Sequence, residues 1–108
     1  MPKYMFQASY TAAGIQGLRK DKASGRKAAV QAAIKSMGGK LEAFYYAFGS
    51  DDVVLIADLP GNAVAAAVAV TTAGTGAVTI RTTPLITVDE MDEALAMEGK
   101  YRAPGEGK

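Results

Sequence analysis

The stretch from Gly38 to Leu59, GGKLEAFYYAFGSDDVVLIADL, restricts the fold more than any other in the chain. Its Gly38-Gly39 pair can end a helix, because glycine takes the left-handed backbone that closes one. An alternating apolar run follows from Lys40 to Phe48. The turn Gly49-Ser50-Asp51-Asp52 then reverses the chain into a second apolar run, Val53 to Leu59. Two such runs around a Gly/Asp turn predict a β-hairpin. The returning strand is apolar on both faces except at Asp58, so it belongs in the middle of a sheet. In the outgoing strand, strict alternation sets Leu41, Ala43, Tyr45 and Ala47 against Glu42, Phe44, Tyr46 and Phe48. One helix layer covers one sheet face, so the second set calls for a partner subunit or a ligand as cover.

The flanking segments read as two strand-helix arms. Lys3 to Tyr10 alternates Tyr4, Phe6, Ala8 and Tyr10 against Met5, Gln7 and Ser9, which predicts a strand with one partly polar face. Thr11 can cap a short helical turn to Leu18, weakened by Gly14 and Gly17. A charged break, Arg19 to Lys22, separates it from the main helix, Gly25 to Met37, with Ser24 as its cap. After the hairpin, Pro60-Gly61-Asn62 leads into a helix from Ala63 to Ala73 that holds no charge. A helix apolar nearly all round should be buried on more than one side, with Ala66 and Ala69 closely packed. Ala77 to Thr83 is the fourth strand, and Pro84 marks an edge or an end. Thr87-Val88-Asp89-Glu90 is a capping box that starts a last short helix to about Met97.

The order βαββαβ is the ferredoxin-like one. The expected class is α+β: a four-stranded antiparallel sheet with the two long helices on one face and a short extra C-terminal helix. Right-handed crossovers put the first and third strands in the middle. Residues 1–98 form a single ferredoxin-like domain, and 99–108, which lack apolar periodicity, a flexible C-terminal tail.

Composition removes several chemistries. The chain of 108 residues has no Cys and no His, so thiolate nucleophiles, disulfides, imidazole bases and most zinc arrangements are out of reach. Twelve basic against eleven acidic residues leave a net charge of +1, which is no basis for nucleic-acid binding. The longest apolar run, Ala63 to Val70, is far short of a membrane span, and the first residues do not read as a signal peptide. A cytoplasmic protein is the expectation. Nothing in the sequence calls for a cofactor or a metal.

The chain resembles the GYD domain proteins, small bacterial proteins of uncharacterised function named for a Gly-Tyr-Asp motif. The resemblance runs through Pro2-Lys3-Tyr4-Met5-Phe6-Gln7-Ala8-Ser9-Tyr10-Thr11, Arg26-Lys27-Ala28-Ala29-Val30, Gly38-Gly39-Lys40-Leu41-Glu42-Ala43-Phe44-Tyr45, Phe48-Gly49 with Asp52, and Arg81-Thr82-Thr83-Pro84-Leu85. It covers residues 2 to about 98. Where the family name expects Tyr before the Asp, this chain has Asp51, so no role of that Tyr carries over. The resemblance implies a ferredoxin-like fold of the dimeric α/β-barrel type, in which chains associate through their sheets. That broader group includes cofactor-free oxygenases, haem-degrading enzymes, isomerases and ligand-sensing regulatory domains, so it names no substrate.

The candidate ligand-binding residues are Gln7, Tyr10, Tyr46, Asp52 and Arg81. Arg81 is the single charge of its strand and needs an acceptor, from Glu42, from Asp58 or from the carboxylate of a ligand. Tyr10, at a strand end, and Tyr46 could be phenolic donors, although strand tyrosines usually pack. Asp51-Asp52 reads as turn acids on local amides before it reads as a cation site. Arg19, Lys20, Lys22, Arg26 and Lys27 fit no phosphate loop and read as a solvated surface. No catalytic residue is assigned. The leading expectation is a homo-oligomeric small-molecule-binding module, a homodimer or larger, that binds neither nucleic acid nor membrane. The alternatives are a cofactor-independent monooxygenase or isomerase using Tyr10, Asp52 or Arg81, and a purely structural assembly protein.

Overall fold

The alternation along Lys3–Tyr10 (β1) is strict: Tyr4, Phe6 and Ala8 are buried, and the residues between them are half-buried. The computed structural model, which describes residues 1–107, continues with α1 (Ala12–Ser36), β2 (Lys40–Tyr46) and β3 (Val53–Asp58). Then follow α2 (Asn62–Ala73), β4 (Val78–Leu85) and α3 (Val88–Ala96). The four strands form one antiparallel sheet in the order β2-β3-β1-β4, with β1 and β3 in the middle. Phe6 faces Leu55 on one side and Thr82 on the other, which fixes the register. Ile34 of α1 and Ala65 and Val68 of α2 join Tyr4, Phe6, Leu55 and Ala57 in one core, so both long helices lie on one face. The class is α+β, with three helices and a four-stranded antiparallel sheet. Pro84 sits inside β4, which tolerates it because β4 is an edge strand.

The charged break before the main helix is present as a kink inside α1. Lys22 stands at φ 64 and ψ 166, a backbone region almost reserved for glycine, and divides α1 into two helical pieces. The Thr11 side chain caps the first piece, accepting from the Gly14 amide. Gly14 has a second task. A Cβ there would lie 2.0 Å from the Ala77 carbonyl oxygen, so only glycine lets α1 start across the α2–β4 connection. Gly38 closes α1 at φ 84. At the head of α2 Gly61 is the N-cap, while the Asn62 side chain accepts from the Tyr4 hydroxyl (2.6 Å) and ties α2 to β1.

Three expectations change. First, the alternation in β2 is broken: Leu41 pairs with Ala57 but Ala43 with Ile56, a β-bulge at Glu42. The extra residue turns the rest of the strand over. Leu41, Phe44 and Tyr46 therefore share the helix side, Phe44 packs on the core, and its ring meets Tyr46 edge-on at 5.5 Å. Phe44 and Tyr46 are not rings on an uncovered sheet face; Tyr45 takes that place. Second, α2 buries Ala65 and Val68 but leaves Ala66, Ala67 and Val70 exposed, because nothing within the chain lies on its outer side. Third, β4 runs on past Thr83 to Leu85.

The capping box of α3 forms as expected: the Glu90 amide donates to Thr87 Oγ1 (3.1 Å) and the Thr87 amide to Glu90 Oε1 (2.9 Å). Yet α3 buries none of its residues. It packs on no other element to any extent, and the chain is 61 Å long with a radius of gyration of 17.6 Å. A compact domain of this length has about 13 Å. The segment 99–107 holds one turn and no helix or strand, and Lys108 of the expected tail lies outside the described residues. No helix among the described residues is long and apolar enough to cross a membrane.

Candidate functional site

Small residues on α1, β1 and the α2–β4 connection leave space between the sheet and the helices. Ala8, Ala13, Gly14, Gly17 and Ala77 line a cavity of about 310 Å³, closed further in by Phe6, Ile34, Phe44 and Val68. Few polar groups reach it. Thr72 and Thr75 are satisfied locally, their hydroxyls donating to the Val68 and Thr72 carbonyls (both 2.8 Å). The remaining polar residues are Tyr10, Asp21 and Arg26. Arg26 Nη1 donates to Asp21 Oδ2 at 3.4 Å, and both side chains are partly exposed. The Tyr10 hydroxyl lies 3.4 Å from that of Tyr46, either one donating. Burial pushes the Tyr46 phenol above its ordinary value; the bond to Tyr10 adds to this and the Arg26 charge opposes it. Tyr46 is therefore a neutral hydroxyl at physiological pH.

The opposite sheet face holds a separate polar cluster. Asp51 Oδ2 accepts from Gln7 Nε2 (3.3 Å) and is paired with Arg81 Nη2. Gln7 and Arg81 are direct neighbours in the β1–β4 register, and the loop before β3 brings Asp51 over them. The Asp51 side chain is 12% exposed and that of Arg81 63%. The acceptor of Arg81 is thus neither Glu42 nor Asp58. Both of those acids go to Lys3, the Asp58 bond being 2.8 Å. Asp58 first and Glu42 second hold the Lys3 ammonium above its usual value.

Asp52 does other work. Its Oδ2 accepts from the Tyr10 amide (2.8 Å), its own amide donates to the Ala8 carbonyl, and its carbonyl accepts from the Ala47 amide. It pins the hairpin turn to the end of β1. No three acidic residues among the described residues stand together as a metal cage.

The five candidate residues do not form one site. Tyr10 lines the cavity and Tyr46 reaches it only through the Tyr10 hydroxyl, Gln7 and Arg81 lie on the other sheet face, and Asp52 anchors a turn. The sequence marks Asp51 as a turn acid but not as the partner of Arg81 and Gln7, and it does not associate Asp21 and Arg26 with a cavity. The clue in the sequence was the density of Gly and Ala at positions that face the sheet.

The family model described as GYD domain matches residues 4–95 of the chain. Searches among curated proteins and among solved structures each return no match.

Proposed function

The chain belongs to the GYD domain family, and from that premise we propose that it is a homo-oligomeric module of ferredoxin-like architecture that binds a small molecule. The observation that carries the binding is the apolar cavity of about 310 Å³ between sheet and helices. Its size is at the lower end of ordinary ligand pockets, and its lining is apolar with a few polar groups at one end, as such pockets are. The cavity opens to solvent at the end that carries Tyr10, Asp21 and Arg26, so a ligand can enter it without unfolding the chain.

Assembly has separate support. Val88, Met91 and Leu95 share one side of α3 and are all exposed. The uncovered sheet face carries half-buried Met5, Val54 and Ile56 beside exposed Tyr45. Both surfaces lose apolar area to water in a lone chain, and a second copy is the usual cover. The enzymatic alternative has less support. Of Tyr10, Asp52 and Arg81, the cavity is lined by Tyr10 alone. The single carboxylate at the cavity, Asp21, is engaged by Arg26.

Native mass spectrometry of freshly purified protein tests both halves. The expected spectrum contains a dimer or larger species, with a small-molecule adduct that dissociates on activation. A bare monomer at micromolar concentration would contradict the proposal.

A further inference from the structure

Donors and acceptors at the cavity mouth do not balance. A guanidinium has several N–H donors. That of Arg26 has one recorded partner, Asp21, at a long 3.4 Å. The Tyr10 and Tyr46 hydroxyls share one contact, and only one of them can donate in it. The other O–H is left to donate outward. The two threonines of the lining are already satisfied by carbonyls of their own helix end. Asp21 is the single carboxylate of the lining, and its pair with Arg26 is partly exposed on both sides. Exposed pairs of this kind contribute little and exchange readily. Asp21 also precedes Lys22, whose left-handed backbone forms the joint between the two pieces of α1. Apart from Thr72 and Thr75 the rest of the lining is apolar, with the Phe6 and Phe44 rings in the wall.

We infer that the ligand of this cavity has an apolar, ring-sized body and a single acidic group, which Arg26 receives in place of Asp21 while a tyrosine hydroxyl of the Tyr10–Tyr46 pair donates to it. The inference rests on the cavity being a binding site and goes on to its chemical class. The body fills the space beneath α1 and α2. The acid stays at the mouth, where it meets a bidentate donor rather than bulk water. Arg26 is thereby a binding residue and not part of a merely solvated helix face. Asp21 is the internal stand-in that occupies it when the cavity is empty.

Cinnamate and cinnamamide share one body and differ in the charge of the head, so calorimetric titration with each separates the two ideas. The parent protein should bind cinnamate about tenfold more tightly than cinnamamide, the scale of a charge-assisted hydrogen bond. Arg26→Met, with an unchanged melting curve, should bring the two to equal affinity. Asp21→Asn, which removes the competing acid, should tighten cinnamate and leave cinnamamide alone. Equal affinity in the parent, or a preference that survives Arg26→Met, overturns the acidic head and leaves the cavity reading standing. Weaker cinnamate binding in Asp21→Asn overturns the displacement of Asp21. If neither probe binds at millimolar concentration, the cavity reading fails and the inference with it.

Discussion

Replacing Gly14 by Ala sets two effects of opposite sign against each other, and the structure says which is larger. In an open helix position, Gly→Ala stabilises by about 1 kcal/mol, because alanine loses less backbone freedom. At Gly14 the new methyl would lie 2.0 Å from the Ala77 carbonyl oxygen and 2.9 Å from Tyr10 Cδ1. Neither distance is tolerable, so the start of α1 or the Ala77 peptide must move. Overpacking of this kind costs about 1–3 kcal/mol. The movement also strains the bonds from the Thr11 amide to the Ala77 carbonyl (2.9 Å) and from the Thr11 hydroxyl to the Gly76 carbonyl (2.7 Å). Each such bond contributes about 1 kcal/mol. The net expectation is a loss of about 2 kcal/mol, or roughly 8–16 °C in Tm for a domain of this size. Gly17 is the internal control. Nothing lies within 4 Å of a Cβ placed there, so Gly17→Ala should stabilise by about 0.5–1 kcal/mol. Thermal melts followed by circular dichroism compare the two. A Gly14→Ala protein that melts at or above the parent would refute the close crossing of α1 over the α2–β4 connection.

Other outcomes follow from the same geometry. Lys22→Gly should raise stability by about 1 kcal/mol, since glycine adopts φ 64, ψ 166 without strain; an unchanged or lower denaturant midpoint would speak against the kink. Arg81→Met should cost less than about 1 kcal/mol, because its pair with Asp51 is largely exposed on the arginine side, and should leave cavity binding unaltered. Met91→Asp in α3 should leave the far-ultraviolet spectrum intact but shift sedimentation toward monomer, because Met91 is exposed in the lone chain. A raised phenol in the folded state means that the unfolded chain ionises first, so this part of the stability is complete below about pH 10 and is lost as pH rises above it. Raised Lys3 acts with the same sign in the same alkaline range. Tyr46→Phe should therefore lose less stability than the parent on going into that range, which pH-jump denaturation would detect.

The elements that the sequence announced were those with local causes. The glycine pair after α1, the capping box of α3 and the strand alternation of β1 each depend on a few adjacent residues. So does the break before the main helix, although its pivot is Lys22 rather than a capping Ser24. The bulge at Glu42 has no such local mark, and one extra residue was enough to turn Phe44 and Tyr46 to the helix side. The Arg81 partner depended on where a turn folds back, which put Asp51 rather than Glu42 or Asp58 within reach. The cavity was hardest to read, because it arises from side chains that are missing: Gly14, Gly17, Ala8 and Ala77 define it by what they leave open.

The binding of a small molecule between sheet and helices is the centre of this account. Amide correlation spectra of uniformly labelled protein, recorded while cinnamate is added, test it most directly. Binding in the cavity should give shifts concentrated at Gly14, Gly17, Val30 and Val78, which line it, with the Gln7, Asp51 and Arg81 amides unmoved. Shifts confined to Gln7, Asp51 and Arg81, or no shifts at millimolar cinnamate, would contradict it.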